Sequence, residues 1–277
     1  MFLGMVLIVS CTMAVCGGQS GDRERVLIVC DERVQMETPA KYLGETGKLE
    51  VEIVDQESFP ASISGFRAVI DFVHKPFTDR VEKALIDYCE AGGRLISLHH
   101  SISSSKRLNK HWLDFCGMTL PTGPRDQGGW FVVGNTTVEL VNLRPDHYVT
   151  SHNVKYQTAT EYGSPIPTME SSIAAAQGKR PALEFQRSEV FLGQQFAGKE
   201  PHEILFGLKC FDPTTSRTIM MDRGGWYQRK GKGWHFYFQV GHATGDFQNP
   251  AYRQVLLNAI RWRAAGREKG KEKKSEK

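Results

Sequence analysis

The chain has 277 residues, of which 40% are hydrophobic and 24% are charged, so it can fold around a sizeable core. Its aromatic content excludes a wholly disordered chain, and its six cysteines are too few for a disulfide scaffold. The net charge is +4, and residues 267–277 carry much of the basic excess. We predict a charged tail over 267–277 and no nucleic-acid partner, because nucleic-acid-binding proteins usually carry their positive charge on a folded face.

The N-terminus is apolar and carries no charge before Asp22. Its apolar run over 2–15 is shorter than the roughly 20 residues that a membrane-spanning helix needs, but it fits the apolar region of a signal peptide. Cys11 and Cys16 both lie where bacterial lipoprotein signals place the lipidated cysteine. We therefore predict a signal peptide or lipoprotein signal over 1–21, and a bacterial protein that is exported to the periplasm or anchored at the cell surface. A buried first strand is the alternative.

Four further cysteines follow this segment, and no two of them form a C-x-x-C pair: Cys30, Cys89, Cys116 and Cys210. A zinc ribbon or a thioredoxin-type motif is therefore unsupported. We predict buried free thiols, with a disulfide as the alternative in an oxidising compartment.

The first half of the chain alternates strand and helix patterns. Apolar runs predict buried strands over 25–30, 66–73 and 94–98, and an alternating run predicts a more exposed strand over 49–54. Helical patterns cover 38–44 and the segment from the N-cap Thr78 to Gly92. This order predicts an α/β fold with a doubly wound, mostly parallel sheet and helices on both faces. Because ligands bind beyond the carboxyl ends of such strands, 31–32, 74–76 and 99–103 are candidate site segments.

The second half is irregular at first and regular again towards its end. Residues 120–200 are rich in Thr, Ser, Pro and Gly and predict short strands and loops that decorate the core. Beyond them we predict a strand over 217–221, a turn at Gly224-Gly225, a tight hairpin turn over 231–233, an aromatic strand over 234–240, and a helix from Pro250 to about Ala264. We find no linker, so we predict one domain over 22–266.

Histidines follow two of the predicted strands. His99 and His100 follow the strand over 94–98, and His242 follows the strand over 234–240. Imidazole at a strand end can act as an acid, a base or a metal ligand, and Glu189 could add a carboxylate. For each residue alone, an ordinary packing or solvated role is the alternative. The chain has no P-loop, no dinucleotide fingerprint, no G-x-S-x-G and no H-E-x-x-H, so we predict no nucleotide cofactor.

One block of the sequence is Gly-Gly-Arg-Leu-Ile-Ser-Leu-His over 92–99. A second is Gly-Lys-Gly-Trp-His-Phe-Tyr-Phe-Gln-Val-Gly-His over 231–242, followed by the Pro250 helix. Both blocks resemble the trehalose-utilisation (ThuA-like) family. The resemblance covers about residues 25–265. It implies a flavodoxin-like fold of the class I glutamine amidotransferase type. Amidotransferases place a nucleophilic cysteine where this chain has His99, so the resemblance does not imply a glutamine amidotransferase.

The resemblance further implies a carbohydrate or oxidised-sugar ligand and a metal site, with Zn²⁺ as the suggested ion. His99, Glu189 and His242 are the implied ligands and catalytic groups of a hydrolase or isomerase. The chain departs from the family at Phe191, where a tyrosine is usual, and at Ala243, where an acidic residue is usual.

We predict substrate contacts from His100, Trp226 and Asp246. Aromatic rings suited to stacking on a sugar are Trp226, Tyr227, Trp130 and Phe247, with core packing as their alternative role. Two other functions remain open. One is a non-catalytic carbohydrate-binding module tethered through Cys11 or Cys16, and the other is a thiol-dependent amidohydrolase that uses Cys30 or Cys116.

Overall fold

The computed structural model describes residues 23–163, 177–198 and 200–264. The strands are β1 (Arg25–Cys30), β2 (Glu50–Val54), β3 (Ala68–Phe72), β4 (Arg94–Leu98), β5 (Met118–Thr119), β6 (Phe131–Asn142), β7 (Thr158–Gly163), β8 (Gln177–Leu192), β9 (Gln195–Phe196), β10 (Glu203–Asp212), β11 (Arg217–Lys230) and β12 (Gly233–Phe238). The helices are α1 (Arg33–Glu45), α2 (Asp79–Glu90), α3 (Trp112–Cys116), α4 (Tyr148–Ser151), α5 (Thr244–Gln248) and α6 (Pro250–Arg261). The predicted leader and tail lie outside the described residues. Within those residues, no helix is both long and apolar enough to span a membrane.

Ten strands form one mixed sheet in the order β2-β1-β3-β4-β12-β11-β10-β6-β8-β7. The first five strands of this order are parallel, and the remaining pairings are antiparallel. The predicted α/β class is confirmed, but the predicted mostly parallel sheet is wrong. Five strands that follow residue 130 in the chain pair only in antiparallel fashion and supply half of the sheet.

Helices cover both faces of the parallel part of the sheet. Val26 and Ile28 of β1 belong to a hydrophobic cluster that also contains residues of α1 and α6. Leu27 and Val29, which point to the opposite face, pack in a second cluster with residues of α2 and α3. The central parallel strands are therefore buried on both faces, as their continuous apolar sequence predicts.

The predicted N-cap Thr78 is confirmed, and Asn249 caps the helix predicted from Pro250. The Thr78 hydroxyl accepts a hydrogen bond from Val81 N at 3.4 Å. The Asn249 side chain accepts from Ala251 N at 3.0 Å and from Tyr252 N at 3.2 Å. Each cap satisfies backbone donors that the first turn of a helix leaves unpaired, so local sequence fixes where α2 and α6 begin.

Helix α1 is longer than the segment predicted over 38–44, since it begins at Arg33 and contains Pro39 in its interior. Its buried residues are Met36, Pro39 and Leu43, which share one face at helical spacing. Packing of this face against the sheet outweighs the helix-breaking tendency of the proline.

The prediction of short strands and loops over 120–200 is wrong for the described residues, because β6 and β8 are long strands of the main sheet. Val138 pairs with Phe185 and Leu140 with Leu183, and all four side chains are buried. The residues between them are more exposed. A strand with one solvated face contains many polar residues, and composition alone then resembles that of a loop.

Gly224 and Gly225 lie inside β11, so the predicted turn there is wrong. A Cβ atom on Gly224 would lie 2.5 Å from the carbonyl oxygen of Gly207 on the neighbouring strand β10. Glycine is required because the two backbones approach closely. The predicted turn over 231–233 is confirmed, and Gly231 adopts φ +56° between β11 and β12.

The prediction of buried free thiols is confirmed for the four described cysteines: Cys30, Cys89, Cys116 and Cys210. Burial raises the pKa of Cys30 to about 11 and that of Cys89 to about 12. Neither thiol has the environment of a reactive cysteine.

Candidate metal centre

His99 begins a short 3₁₀ turn, His99–Ile102, directly after β4. Its side chain is fully buried and its φ is +32°, a conformation that costs free energy for a residue with a Cβ atom. Two contacts fix the residue: the Tyr237 hydroxyl donates to His99 O at 2.9 Å, and His99 Nδ1 lies 2.6 Å from the carbonyl oxygen of Gln239. Because a carbonyl only accepts, Nδ1 carries a proton, and in the neutral form of the ring the lone pair is therefore on Nε2.

The carboxylate of Glu189 lies between two imidazole rings. Its Oε1 atom is 3.4 Å from His99 Nε2 and 3.5 Å from His242 Nδ1. Both nitrogens are buried and have no hydrogen-bond partner. A lone pair on His99 Nε2 facing a carboxylate oxygen is repulsive unless a proton or a metal cation lies between them. The arrangement therefore favours a bound positive charge.

His100 completes a cluster of four residues. One potential ligand atom from each of His99, His100, Glu189 and His242 lies within 4.8 Å of the other three. Successive residues of a regular strand point to opposite faces, but the positive φ of His99 and the 3₁₀ turn bring both histidines into one group. The cluster could bind a metal ion, because imidazole and carboxylate are the donors that transition metals use in proteins.

The sheet must curve to bring Glu189 to this position. In the strand order, β8 lies five places from β4, which corresponds to about 24 Å in a flat sheet. Nevertheless, Phe191 on β8 donates its backbone N–H to Gln239 Oε1 at 3.0 Å, and its ring stacks on His99 at 4.5 Å between centroids. The end of β8 therefore folds over the carboxyl ends of β4 and β12.

Asp246 joins the two segments that carry Glu189 and His242. Its Oδ2 atom accepts a hydrogen bond from the Ser188 hydroxyl at 2.7 Å and from Ala243 N at 3.2 Å. The structure thus places Asp246, a predicted substrate contact, in a buried supporting position between the cluster's neighbours.

The structure does not bring the predicted aromatic contact Trp226 into the cluster. Its ring is fully buried and packs against Tyr237 at 4.3 Å between centroids. Phe247 and Tyr227 are also buried in the core. Trp130 is partly buried and packs against Phe191, which separates it from His99.

The environment of the cluster shifts two pKa values. Burial, with the neighbouring imidazoles of His99, His74 and His242, lowers the pKa of His100 to about 2, so this ring is neutral. Burial alone would raise the pKa of Glu189, but a proton shared with His99 and positive charge on the His242 and His99 rings outweigh it, so the pKa lies below its usual value. The cluster therefore offers a carboxylate and a neutral imidazole as ligands.

Glu32 and His74 lie in the predicted site segments 31–32 and 74–76 but have no predicted role of their own. Glu32 Oε2 lies 3.5 Å from His100 Nδ1, and the His74 ring stacks on His100 at 4.3 Å between centroids. Asp31 holds the His74 loop by accepting the backbone N–H groups of His74 and Lys75. The signal that pointed to them was their position at the carboxyl ends of β1 and β3.

A buried polar network supports the turn from beneath. The Asp71 carboxylate accepts hydrogen bonds from Ser101 and, at 2.5 Å, from Ser97. Ser97 Oγ also lies 2.9 Å from His235 Nε2. Burial raises the pKa of Asp71 to about 6, although the two serines and Lys106 lower it in part.

Comparisons with known proteins place this chain in a family. The family model described as ThuA, trehalose utilisation, matches residues 25–263. A crystal structure of a protein described as ThuA-like, from Bacteroides uniformis, is 18% identical with a TM-score of 0.54, and the match covers 87% of this chain and 91% of that chain. A β-galactosidase from Bacillus circulans is 10% identical with a TM-score of 0.47, and the match covers 86% of this chain but 30% of that chain. No curated protein matches.

The family match extends over most of the chain and includes every residue of the cluster. At 18% identity, the Bacteroides structure supports the fold alone. The match over 25–263 confirms the resemblance drawn from the two sequence blocks. This chain belongs to the ThuA family.

Proposed function

We propose that the protein binds a transition-metal ion, with Zn²⁺ as the best fit, through His99, His100, Glu189 and His242. The observation that carries this proposal is the convergence of four ligand atoms within 4.8 Å, with buried, unpartnered nitrogens on His99 and His242 that both face Glu189. Such atoms are costly in a folded protein unless a ligand satisfies them. His100, which we expected to contact substrate, thereby joins the three ligands implied by the resemblance.

The chain's own residues hold the ring of His99 and leave one side of the cluster open. Gln239 O fixes the tautomer of His99, and such second contacts orient metal-binding imidazoles. The side chains of His242 and Glu189 are 39% and 22% exposed, so a ligand approaches from their side. Ionised Glu189 can accept a proton there. A bound metal ion would supply polarisation of a carbonyl or hydroxyl oxygen.

We propose a carbohydrate or oxidised-sugar derivative as the substrate, processed by hydrolysis or isomerisation. The family description, trehalose utilisation, supports a sugar. A site rich in imidazole and carboxylate groups also suits a polyhydroxylated ligand, because these groups donate and accept hydrogen bonds.

Elemental analysis of protein purified without chelator tests the metal site. We expect near-stoichiometric zinc or another transition metal in the parent, and its loss in His99→Ala and His242→Ala. His111→Ala is a matched control, since His111 is exposed and lies outside the cluster. Thermal unfolding would verify that all variants are folded.

Metal-dependent turnover in a screen of sugars and keto-sugars would support the enzyme. Absence of metal from the parent, even after reconstitution with Zn²⁺, would overturn the metal site. Saturable sugar binding that chelator does not affect, without turnover, would favour the non-catalytic binding module.

We also propose that the protein is exported and anchored through a lipidated Cys11 or Cys16. The support is the uncharged apolar run with two suitably placed cysteines. Mass spectrometry of the mature N-terminus from the native host would show a lipidated cysteine. An unmodified Met1 would contradict export.

A further inference from the structure

We propose that Glu32 is a positioning residue for the metal centre, because it holds His100 in the tautomer protonated at Nδ1 and leaves the lone pair on Nε2. The role for metal binding rests on the function proposed above. The observation is a pair of buried atoms without hydrogen-bond partners, Glu32 Oε2 and His100 Nδ1, that lie 3.5 Å apart.

The chemistry of the two groups decides where the proton lies. A carboxylate only accepts hydrogen bonds, and a neutral imidazole has one nitrogen that donates and one that accepts. If His100 Nδ1 carried the lone pair, two acceptors would face each other in a buried place, which is unfavourable. With the proton on Nδ1, both groups have a partner.

The same arrangement already holds the neighbouring ring. His99 Nδ1 faces the carbonyl oxygen of Gln239, so the lone pair of His99 is on Nε2. Glu32 would accept the Nδ1 proton of His100 as Gln239 O accepts that of His99, except that the acceptor is a carboxylate and not a neutral carbonyl. A carboxylate behind a metal-binding histidine fixes the ring and makes it more basic.

Other contacts make Glu32 suited to this role. Glu32 is the N-cap residue of α1, but its side chain makes no capping hydrogen bond, so the carboxylate is free to face His100. On the other faces of the His100 ring, His74 stacks at 4.3 Å and Phe72 packs at 5.2 Å between centroids. These rings restrict the His100 side chain without competing for its Nδ1 proton.

The first measurement identifies the tautomer of His100. In metal-free protein labelled with ¹⁵N-histidine, long-range ¹H–¹⁵N correlation spectra would report the protonated nitrogen of each ring, with His100 assigned by its absence in His100→Asn. We expect the Nδ1–H form in the parent and a mixture or the Nε2–H form in Glu32→Ala. Glu37→Ala is the matched control, because Glu37 is an exposed carboxylate of α1.

Competition with a chromophoric chelator measures Zn²⁺ affinity and shows whether the change of tautomer weakens metal binding. We expect Glu32→Ala to weaken Zn²⁺ binding by about 10- to 100-fold, and Glu37→Ala to change it less than about twofold. Glu32→Gln retains an acceptor oxygen without the charge, so it should keep the Nδ1–H tautomer and weaken binding less than Glu32→Ala.

Three results would overturn the proposal. The first is an unchanged His100 tautomer in Glu32→Ala, and the second is the Nε2–H form in the parent. The third is a shifted tautomer with unchanged Zn²⁺ affinity, which would remove His100 from the ligand set. If the parent binds no Zn²⁺, the proposed function fails, while the tautomer of the metal-free protein still decides whether Glu32 positions His100.

Discussion

Replacing Asp71 with asparagine tests whether the carboxyl group beneath the cluster destabilises the fold when it ionises. Asp71 is fully buried, and burial raises its pKa from 3.8 to about 6. The amide can keep the network: its oxygen can accept from Ser97 and its nitrogen can donate to Ser101. The Ser101 hydroxyl can then donate to the carbonyl oxygen of residue 71, which already lies 3.1 Å away.

The sign of the effect follows from proton binding. The folded pKa is above the unfolded value, so between about pH 4 and pH 6 the native state binds more protons, and stability falls as pH rises. The gap from 3.8 to about 6 corresponds to about 3 kcal/mol of lost stability above pH 7. About 2 kcal/mol of this loss falls between pH 4.5 and pH 7.5. Asparagine does not ionise, so the Asp71→Asn variant does not show this pH-dependent loss of stability.

Urea unfolding of both proteins, followed by tryptophan fluorescence, measures the difference. We expect the free energy of unfolding of Asp71→Asn, relative to the parent, to rise by about 2 kcal/mol from pH 4.5 to pH 7.5. A difference that stays flat would refute the reasoning. A difference that falls with pH would show that Lys106 and the serines stabilise the carboxylate more than burial destabilises it.

Three further substitutions test the support of the site. Gly241 has φ +130°, and a Cβ atom there would lie 2.7 Å from the Phe247 ring. Gly241→Ala should therefore destabilise the fold by about 1–3 kcal/mol in urea unfolding and lower the zinc content of the purified protein. Gly245→Ala, whose added Cβ would point into open space, is its control and should change neither. Asp246→Ala should weaken Zn²⁺ binding by about tenfold or more in the chelator competition, because Asp246 joins the end of β8, which carries Glu189, to the segment that carries His242. Unchanged affinity would contradict this role. Lys106→Met should cost about 3 kcal/mol in thermal or urea unfolding, because the ammonium group donates to two backbone carbonyls at 2.6 and 2.7 Å that would lose their partner.

Local sequence determined the elements whose signals are local. The apolar runs predicted β1 and β4 with their observed bounds, and Thr78 and Pro250 predicted the starts of two helices. The positions of His99 and His242 after strands placed both at the carboxyl edge of the sheet, where the cluster lies. These predictions succeed because hydrophobic periodicity and capping depend on residues close in sequence.

Only the tertiary structure decided how the antiparallel strands complete the site. Their alternating polar residues give these strands the composition of loops. Gly224 has the residue type of a turn, but it is glycine because the backbone of Gly207 on the neighbouring strand lies against it. Glu189 reaches the cluster because the sheet curves over several strands, and no local pattern encodes that curvature. The joint use of His99 and His100 depends on a positive φ that the surrounding core imposes on His99. Residue type and strand position thus identified candidate ligands, whereas long-range packing determined which of them meet.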